Sequence, residues 1–312
     1  MSGSPHRILV TGASGFVGRH LIAALPAAFP EATLITPEFE LTDADAVSAV
    51  VSAARPDACV HLAAISTVGM ALENEDRAWQ VNLHGTLYLA RAILLHAPEC
   101  QLVFASSADA YGASFRDGTS VDEKAALAPL NVYTATKAAA DLALGGMAEQ
   151  GLRVVRLRPF NQTGPGQPPA LVVAAFARQV ARIAAGLQEP VVDAGNLEPR
   201  RDFLDVRDVC GAYIACIVRR AVLAPGEIFN LASGTAHRIG DILKDLAALA
   251  GVTVETRIDP TRLRTTDVPL SRGNAAKARE LLGWIPGTPW SQTLRDVVED
   301  WRHRITVNPE QR

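Results

Sequence analysis

Tyr133 and Lys137 stand four residues apart in Asn131-Val-Tyr-Thr-Ala-Thr-Lys137, a spacing that puts phenol and ammonium on one face of a helix. A phenol with a pKa of about 10 is a poor proton donor at neutral pH. A neighbouring ammonium favours the phenolate and draws that pKa toward the working range, which suits acid–base catalysis. The chain holds four Tyr and only four Lys (Lys124, Lys137, Lys244, Lys277), 26 of its 30 basic residues being Arg, so the pairing is hard to assign to chance. Upstream, Leu102-Val-Phe-Ala-Ser-Ser107 is an apolar run that ends in two hydroxyls. At the carboxyl end of a parallel strand, hydroxyls lie where open α/β sheets bind ligands. Ser107, Tyr133 and Lys137 therefore read as one catalytic set.

Thr11-Gly12-Ala13-Ser14-Gly15-Phe16-Val17-Gly18 carries a second kind of chemistry. Its glycines are spaced G-x-x-G-x-x-G between an apolar run, Arg7 to Thr11, and a helix-spaced one, Phe16 to about Leu25. Gly12 permits a tight turn, Gly15 lets backbone approach a pyrophosphate, and Gly18 lets helix pack closely on strand. The helix start adds free N–H groups and the positive end of its dipole, so the expected ligand is a dinucleotide. An acid at the end of the next strand would hold a ribose 2′-hydroxyl and select NAD, whereas an Arg would suit the phosphate of NADP. Leu34-Ile-Thr-Pro-Glu38 places neither directly at the strand end, so this segment does not choose between them.

Both groups need a rigid frame. Strand-like runs at 7–11, 33–36, 58–62, 102–105 and 154–157 alternate with helical stretches near 43–54, 75–96 and 131–150. Continuous apolar strands alternating with helices predict an α/β fold, a Rossmann-type doubly wound parallel sheet covered on both faces. Six Pro and Gly residues between Pro159 and Pro169 mark a loop-rich boundary. Beyond it, helices near 170–186 and 237–250 flank strand-like Glu227–Leu231. The expected division is a dinucleotide-binding domain over 1–165 plus about 200–235, and a smaller C-terminal α/β substrate domain over about 166–199 and 236–312.

Composition excludes several classes. With 48% hydrophobic and 20% charged residues over 312 positions, the chain is globular rather than disordered. A net charge of −3 gives no nucleic-acid footprint. Cys59, Cys100, Cys210 and Cys216 form no C-x-x-C pair and are expected as buried, reduced thiols. Neither H-E-x-x-H nor a His/Asp cluster occurs, so no metal is expected. The absence of a signal-peptide pattern and of a run of about 18 apolar residues points to a soluble, cytoplasmic protein.

These motifs together resemble the extended short-chain dehydrogenase/reductase superfamily of nucleotide-sugar epimerases, dehydratases and reductases. The likeness spans nearly the whole chain: Gly12-x-x-Gly15-x-x-Gly18, His61-Leu-Ala-Ala64, Val81-Asn82-x-x-Gly85-Thr86, Ser106-Ser107-x-x-x-Tyr111-Gly112, Tyr133-x-x-x-Lys137, Arg158-Pro-Phe-Asn161 and Leu282-Gly-Trp-x-Pro286. The second half is similar to the GDP-4-dehydro-6-deoxy-D-mannose reductase subfamily through Arg158-Pro-Phe-Asn-Gln-Thr-Gly-Pro-Gly-Gln167, Gly195-Asn-Leu-Glu198, Arg201-Asp-Phe-Leu-Asp-Val-Arg-Asp208 and Asp259-Pro-Thr-Arg-Leu-Arg264. It departs at Gln162, where His is usual, at Thr265-Thr266, where Pro is usual, and in a shortened segment between Leu25 and Asp43.

The resemblance implies reduction of the C4 keto group of a GDP-4-keto-6-deoxyhexose, with NAD or NADP as cofactor. Ser107 would hydrogen-bond the C4 oxygen, Tyr133 would donate its proton there, and Lys137 would bind the nicotinamide ribose. Leu41, Leu62, Ala63, Ala64, Asn82 and Arg158 would join Gly12, Ser14, Gly15, Phe16, Val17 and Gly18 at the cofactor. Asn161, Arg178, Arg201 and Arg264 would hold the nucleotide sugar, Arg forks suiting a diphosphate. Ala108-Asp109 replaces the acid pair with which related dehydratases eliminate water. A homodimer is implied through helices near 80–97 and 133–148, with Leu83, Leu87, Leu94 and Ala138–Ala140 as facing residues. His61 is expected as a hydrogen-bonded structural residue, and Trp284 and Trp290 as core. A C4 epimerase that retains its NAD⁺, and a non-catalytic dinucleotide sensor, are the alternatives.

Overall fold

The computed structural model describes residues 4–263 and 268–307. The chain runs β1 (Arg7–Thr11), α1 (Phe16–Ala28), β2 (Thr33–Ile35), α2 (Ala44–Ala54), β3 (Ala58–His61), α3 (Val68–Glu73), α4 (Glu75–Trp79), α5 (Thr86–His96), β4 (Gln101–Ala105), α6 (Val132–Ala148) and β5 (Val154–Pro159). It continues with β6 (Asn161–Thr163), α7 (Val172–Ala184), β7 (Val191–Ala194), β8 (Arg200–Asp205), α8 (Val206–Val218), β9 (Glu227–Leu231), β10 (Ala236–Arg238), α9 (Ile239–Ala250), β11 (Glu255–Ile258), β12 (Leu270–Ser271) and α10 (Trp290–Val307).

Alternation within the strands sets the layers. In β1, Ile8 and Val10 enter one core with Leu21 and Leu25 of α1 and Val209, Tyr213 and Ile217 of α8. Leu9 enters the opposite core, with Val47 and Val51 of α2, Leu89 and Ile93 of α5 and Leu144 of α6. Successive side chains thus face opposite helical layers, as a strand's period of two requires. The six strands lie in the order β2-β1-β3-β4-β5-β9, every pairing being parallel. The order reverses between β1 and β3, so the turn after β1 opens at the switch point where such sheets bind ligands.

The stretch near 75–96 is helical throughout, as expected, but a π-turn lies within it between α4 and α5. Asn74 ends α3 and caps α4, its Oδ1 accepting from Arg77 N at 2.9 Å. A π-turn over 80–85 then precedes α5 and carries Gly85 against Leu41, where a Cβ would sit 2.6 Å from Leu41 Cγ. Close packing, invisible to periodicity, forces the irregular turn.

A separate core forms from α7, α9 and α10 against β7 and β8. Beside it stand a small sheet, β10-β8-β12 with β6 on β8, and the pair β11-β7. Ala278, Leu282 and Trp284, although late in the chain, pack in the core beneath the large sheet. All four cysteines are free and buried. Among the described residues, no helix is long and apolar enough to cross a membrane.

Candidate active site

The glycine turn has the geometry its residue types require. Gly12 has φ +70, and a Cβ there would lie 2.7 Å from Ala63 N and 3.0 Å from the Leu62 carbonyl carbon. The 62–64 segment after β3 therefore runs directly against the turn. At Gly18 a Cβ would meet Gly12 O at 2.2 Å, so α1 sits on the turn at backbone contact. No side chain caps α1 at Gly15, and no acid occupies its first turn. The N–H groups of the first turn and the space that side chains would have filled fit the diphosphate of a nicotinamide dinucleotide.

The catalytic candidates converge at the carboxyl end of β4. An Asn131–Thr134 capping box starts α6 and sets Tyr133 and Lys137 in its first two turns. Ser107 is buried and caps the 3₁₀ turn over 108–115, its Oγ accepting from Asp109 N at 3.1 Å. Tyr133 lies near enough to Ser107 for the serine to draw its phenol pKa down. Lys137 is 5% exposed, donates to the Ala105 carbonyl and lies 4.6 Å over the Phe104 ring. Burial lowers its pKa to about 8, against the opposing pull of Asp141.

The chain's own residues do not lower the Tyr133 phenol as its spacing to Lys137 predicts. Burial first, then the charge of Asp109, pushes it up, and only the neighbouring Ser107 pulls it down. The Lys137 ammonium is engaged elsewhere, by the Ala105 carbonyl and the charge of Asp141.

The family model described as NAD dependent epimerase/dehydratase family matches residues 8–232. The chain belongs to that family. It is 36% identical over 302 residues to GDP-6-deoxy-D-mannose reductase of Pseudomonas aeruginosa, covering 96% of this chain and 98% of that protein. It is 29% identical to UDP-glucose 4-epimerase of Corynebacterium glutamicum over 94% of each. Among solved structures, that of RMD from Pseudomonas aeruginosa complexed with NADPH superposes with a TM-score of 0.87 at 33% identity, covering 96% of this chain and 99% of that one. The protein is thus an NAD(P)-dependent enzyme of the short-chain dehydrogenase/reductase type.

Within this family framework, two residues expected at the cofactor have their side chains committed to the protein. The Arg158 guanidinium, 3% exposed, bonds Asp141 through Nε at 2.9 Å and Nη2 at 2.8 Å, and Tyr111 Oη through Nη1 at 3.0 Å. A buried guanidinium must be satisfied, and Asp141 and Tyr111 satisfy it here. Asn82 Oδ1 accepts from Ile65 N at 2.8 Å while Nδ2 donates to Ile65 O at 3.0 Å and to Thr136 Oγ at 2.9 Å. It latches the cofactor-side loop to α6. Leu41 is buried against Gly85, and Leu62, Ala63 and Ala64 are half-buried along the turn.

His61 is structural, as expected. Thr86 Oγ donates its proton to the Asn82 carbonyl at 2.8 Å, so it accepts from His61 Nε2 at 3.0 Å. That leaves Nδ1 to accept from Thr11 Oγ at 2.7 Å, while Thr11 Oγ accepts from Ala63 N at 3.2 Å. Burial, then the Lys137 charge, holds the imidazole neutral with a pKa of about 3. The relay from Ala63 through Thr11, His61, Thr86 and Asn82 reaches Thr136, whose hydroxyl donates to Tyr133 O at 2.8 Å. Single motifs hide it, since its members are scattered over 126 positions of sequence; His61 and Ala63 share one motif and Asn82 and Thr86 another, with nothing in either to join them.

The substrate candidates lie on elements that follow β5: Asn161 on β6, Arg178 on α7 and Arg201 on β8. Asn161 is half-buried, its Nδ2 donating to Asp202 O at 3.4 Å. Arg201 donates to the Arg200 carbonyl at 2.9 Å and lies opposite His237 in the β8–β10 register. Arg178 lines a cavity of about 240 Å³ with Gln179, Arg182, Gln188 and Arg262. Arg264 lies outside the described residues. Arg207 is a packing charge, held by Asp205 and Asp296 at 2.7 Å each. Trp284 is buried, and Trp290 stacks on Phe203 and His237 at 5.4 and 4.8 Å.

Proposed function

We propose that the chain reduces the C4 keto group of a GDP-4-keto-6-deoxyhexose, converting GDP-4-dehydro-6-deoxy-D-mannose to GDP-D-rhamnose. The reading is carried by the meeting of Ser107, Tyr133 and Lys137 at the carboxyl end of β4, where Lys137 donates to the Ala105 carbonyl and buried Ser107 follows the strand. It is supported by the 36% identity to a GDP-6-deoxy-D-mannose reductase along nearly the whole chain.

The nicotinamide, when bound, supplies the hydride that C4 gains. Ser107 donates a hydrogen bond to the C4 oxygen and orients the carbonyl. Tyr133 transfers its phenolic proton to that oxygen, so carbon and oxygen each gain one hydrogen and the alcohol is complete. The raised phenol pKa keeps Tyr133 protonated before the step, which suits a proton donor in the reducing direction. Lys137 would hold the nicotinamide ribose, and Gly12, Ser14, Gly15, Phe16, Val17 and Gly18 the diphosphate. Asn161, Arg201, Arg264 and Arg178 would hold the nucleotide sugar, the arginine-lined cavity supporting an anionic ligand on that side.

The chain would divide into a dinucleotide domain over 1–165 plus about 200–235 and a substrate domain over about 166–199 and 236–312. A cytoplasmic homodimer through α5 and α6 completes the reading. Leu83, Leu87 and Leu94 pack against the sheet-side core, so Leu95 and Leu142, 73% and 60% exposed, are the apolar groups available to such an interface.

The test supplies GDP-4-keto-6-deoxymannose with NADH or NADPH, follows nicotinamide absorbance and identifies the sugar by NMR. Oxidation with formation of GDP-D-rhamnose is expected, and no oxidation with either cofactor overturns the substrate. The 29% identity to a UDP-glucose 4-epimerase favours epimerisation as the second reading. An epimerase would purify with tightly held NAD⁺ and turn over without added reductant.

A further inference from the structure

Lys137 is a cation with almost no access to water, and a buried ammonium needs a compensating anion. One turn further along the same face of α6 lies Asp141, wholly buried. Its Oδ1 accepts from Arg158 Nη2 at 2.8 Å and Arg156 Nη1 at 3.1 Å. Its Oδ2 accepts from Arg158 Nε at 2.9 Å and Ser106 Oγ at 2.6 Å. Three elements meet at this one carboxylate: α6, which carries Tyr133 and Lys137; the end of β4, which leads into Ser107; and β5, which contributes both arginines.

We propose that Asp141 is a positioning residue for the reduction, keeping the Lys137 side chain charged inside the site and tying Ser107 to the helix that bears Tyr133. It rests on the reading of Ser107, Tyr133 and Lys137 as the reducing set. With no exposed surface, Asp141 touches no ligand and acts through its neighbours.

The surroundings of Lys137 make the carboxylate necessary. From β3, His61 feels the Lys137 charge, and as a neutral imidazole it offers no negative charge in return. From β4, Lys137 meets the Phe104 ring and the Ala105 carbonyl. From β5, Arg156 and Arg158 bring two positive charges to the same carboxylate, and Tyr111 of the 108–115 turn is bonded to Arg158. On its own helix Lys137 has Tyr133, a protonated phenol, on one side and Asp141 on the other. Asp109, whose charge reaches Tyr133, completes the set. Burial drives the ammonium toward neutrality, and the charge of Asp141 opposes that drive.

The small number of lysines makes a direct test practical. With ¹³Cε-labelled lysine, the four side chains give four signals, and Lys137 is identified by its loss in Lys137→Met. In Asp141→Asn the Lys137 midpoint should fall by at least about one pH unit, a tenfold change in its ionisation constant. The basic limb of kcat/KM should move down with it, and Asp141→Glu should return both toward wild type. Arg156→Met removes a cation and leaves Arg158 on Asp141, so there the midpoint should stay or rise. This variant carries the test if Asp141→Asn does not fold. An unchanged midpoint in folded Asp141→Asn, or a lowered one in Arg156→Met, overturns the proposal. Failure of the underlying catalytic reading looks different: Tyr133→Phe would stay active while the lysine shift persisted.

Discussion

Replacing Gly18 by Ala would put a methyl carbon 2.2 Å from the Gly12 carbonyl oxygen and 2.6 Å from that of Ala13. Ordinary contact starts near 3.4 Å, so α1 must back away from the turn by about 1.2 Å. Every obstructing atom is backbone, and Arg19 Nη1 braces the turn by donating to Ser14 O at 2.7 Å, so no side chain can swing aside. The N–H groups that would meet the diphosphate move with the helix. A misplacement of roughly 1 Å in a directed site costs about 10²-fold. The Kd for NAD(P)H should therefore rise about 100-fold, and overpacking of about 1–3 kcal/mol should lower the Tm. Gly69→Ala is the control, because a Cβ there meets nothing within 4 Å in α3. It should leave Kd alone and hold or raise Tm, since Ala exceeds Gly in a helix by about 0.5–1 kcal/mol. Cofactor fluorescence titrations and thermal melts on both variants decide it. A Gly18→Ala protein that binds within about threefold of wild type with an unchanged Tm would refute the packing argument.

Three further outcomes are expected. Tyr133→Phe keeps the ring and removes the donor, so steady-state kinetics should show kcat down by about 10²–10⁴-fold with cofactor Kd unchanged. Burial brings the Lys137 pKa down to about 8, so its ammonium fraction declines as pH rises through that value. The kcat/KM profile should fall above about pH 8, and one flat to about pH 10 would contradict the role of a charged lysine. Arg158→Met strips Asp141 of its bidentate partner, and breaking a buried pair costs about 3–5 kcal/mol. Denaturant melts should register that loss with cofactor affinity intact; the reverse pattern would return Arg158 to the cofactor site.

The parallel sheet was legible because its strands are buried on both sides and read as apolar runs, from Ile8–Val10 through Val154–Leu157. The glycine triplet was equally legible, since positive φ at Gly12 and backbone contact at Gly18 are demands that a glycine meets within its own turn. The helical stretch near 75–96 was legible, but the π-turn inside it was not, because it answers to distant partners. Gly85 must approach Leu41, and Asn82 must reach both Ile65 and Thr136, 17 and 54 residues away.

By itself the sequence determined which chemistry was available: a phenol and an ammonium one helical turn apart, hydroxyls closing an apolar strand, and a turn shaped for a diphosphate. These are short-range patterns, and local periodicity encodes them. Tertiary structure alone decided which charges meet. It paired Arg158 with Asp141, directed Lys137 at the Ala105 carbonyl, and left the Tyr133 phenol raised by burial. Burial multiplies the electrostatic consequence of every contact, and burial is set by the packing of elements far apart in the chain.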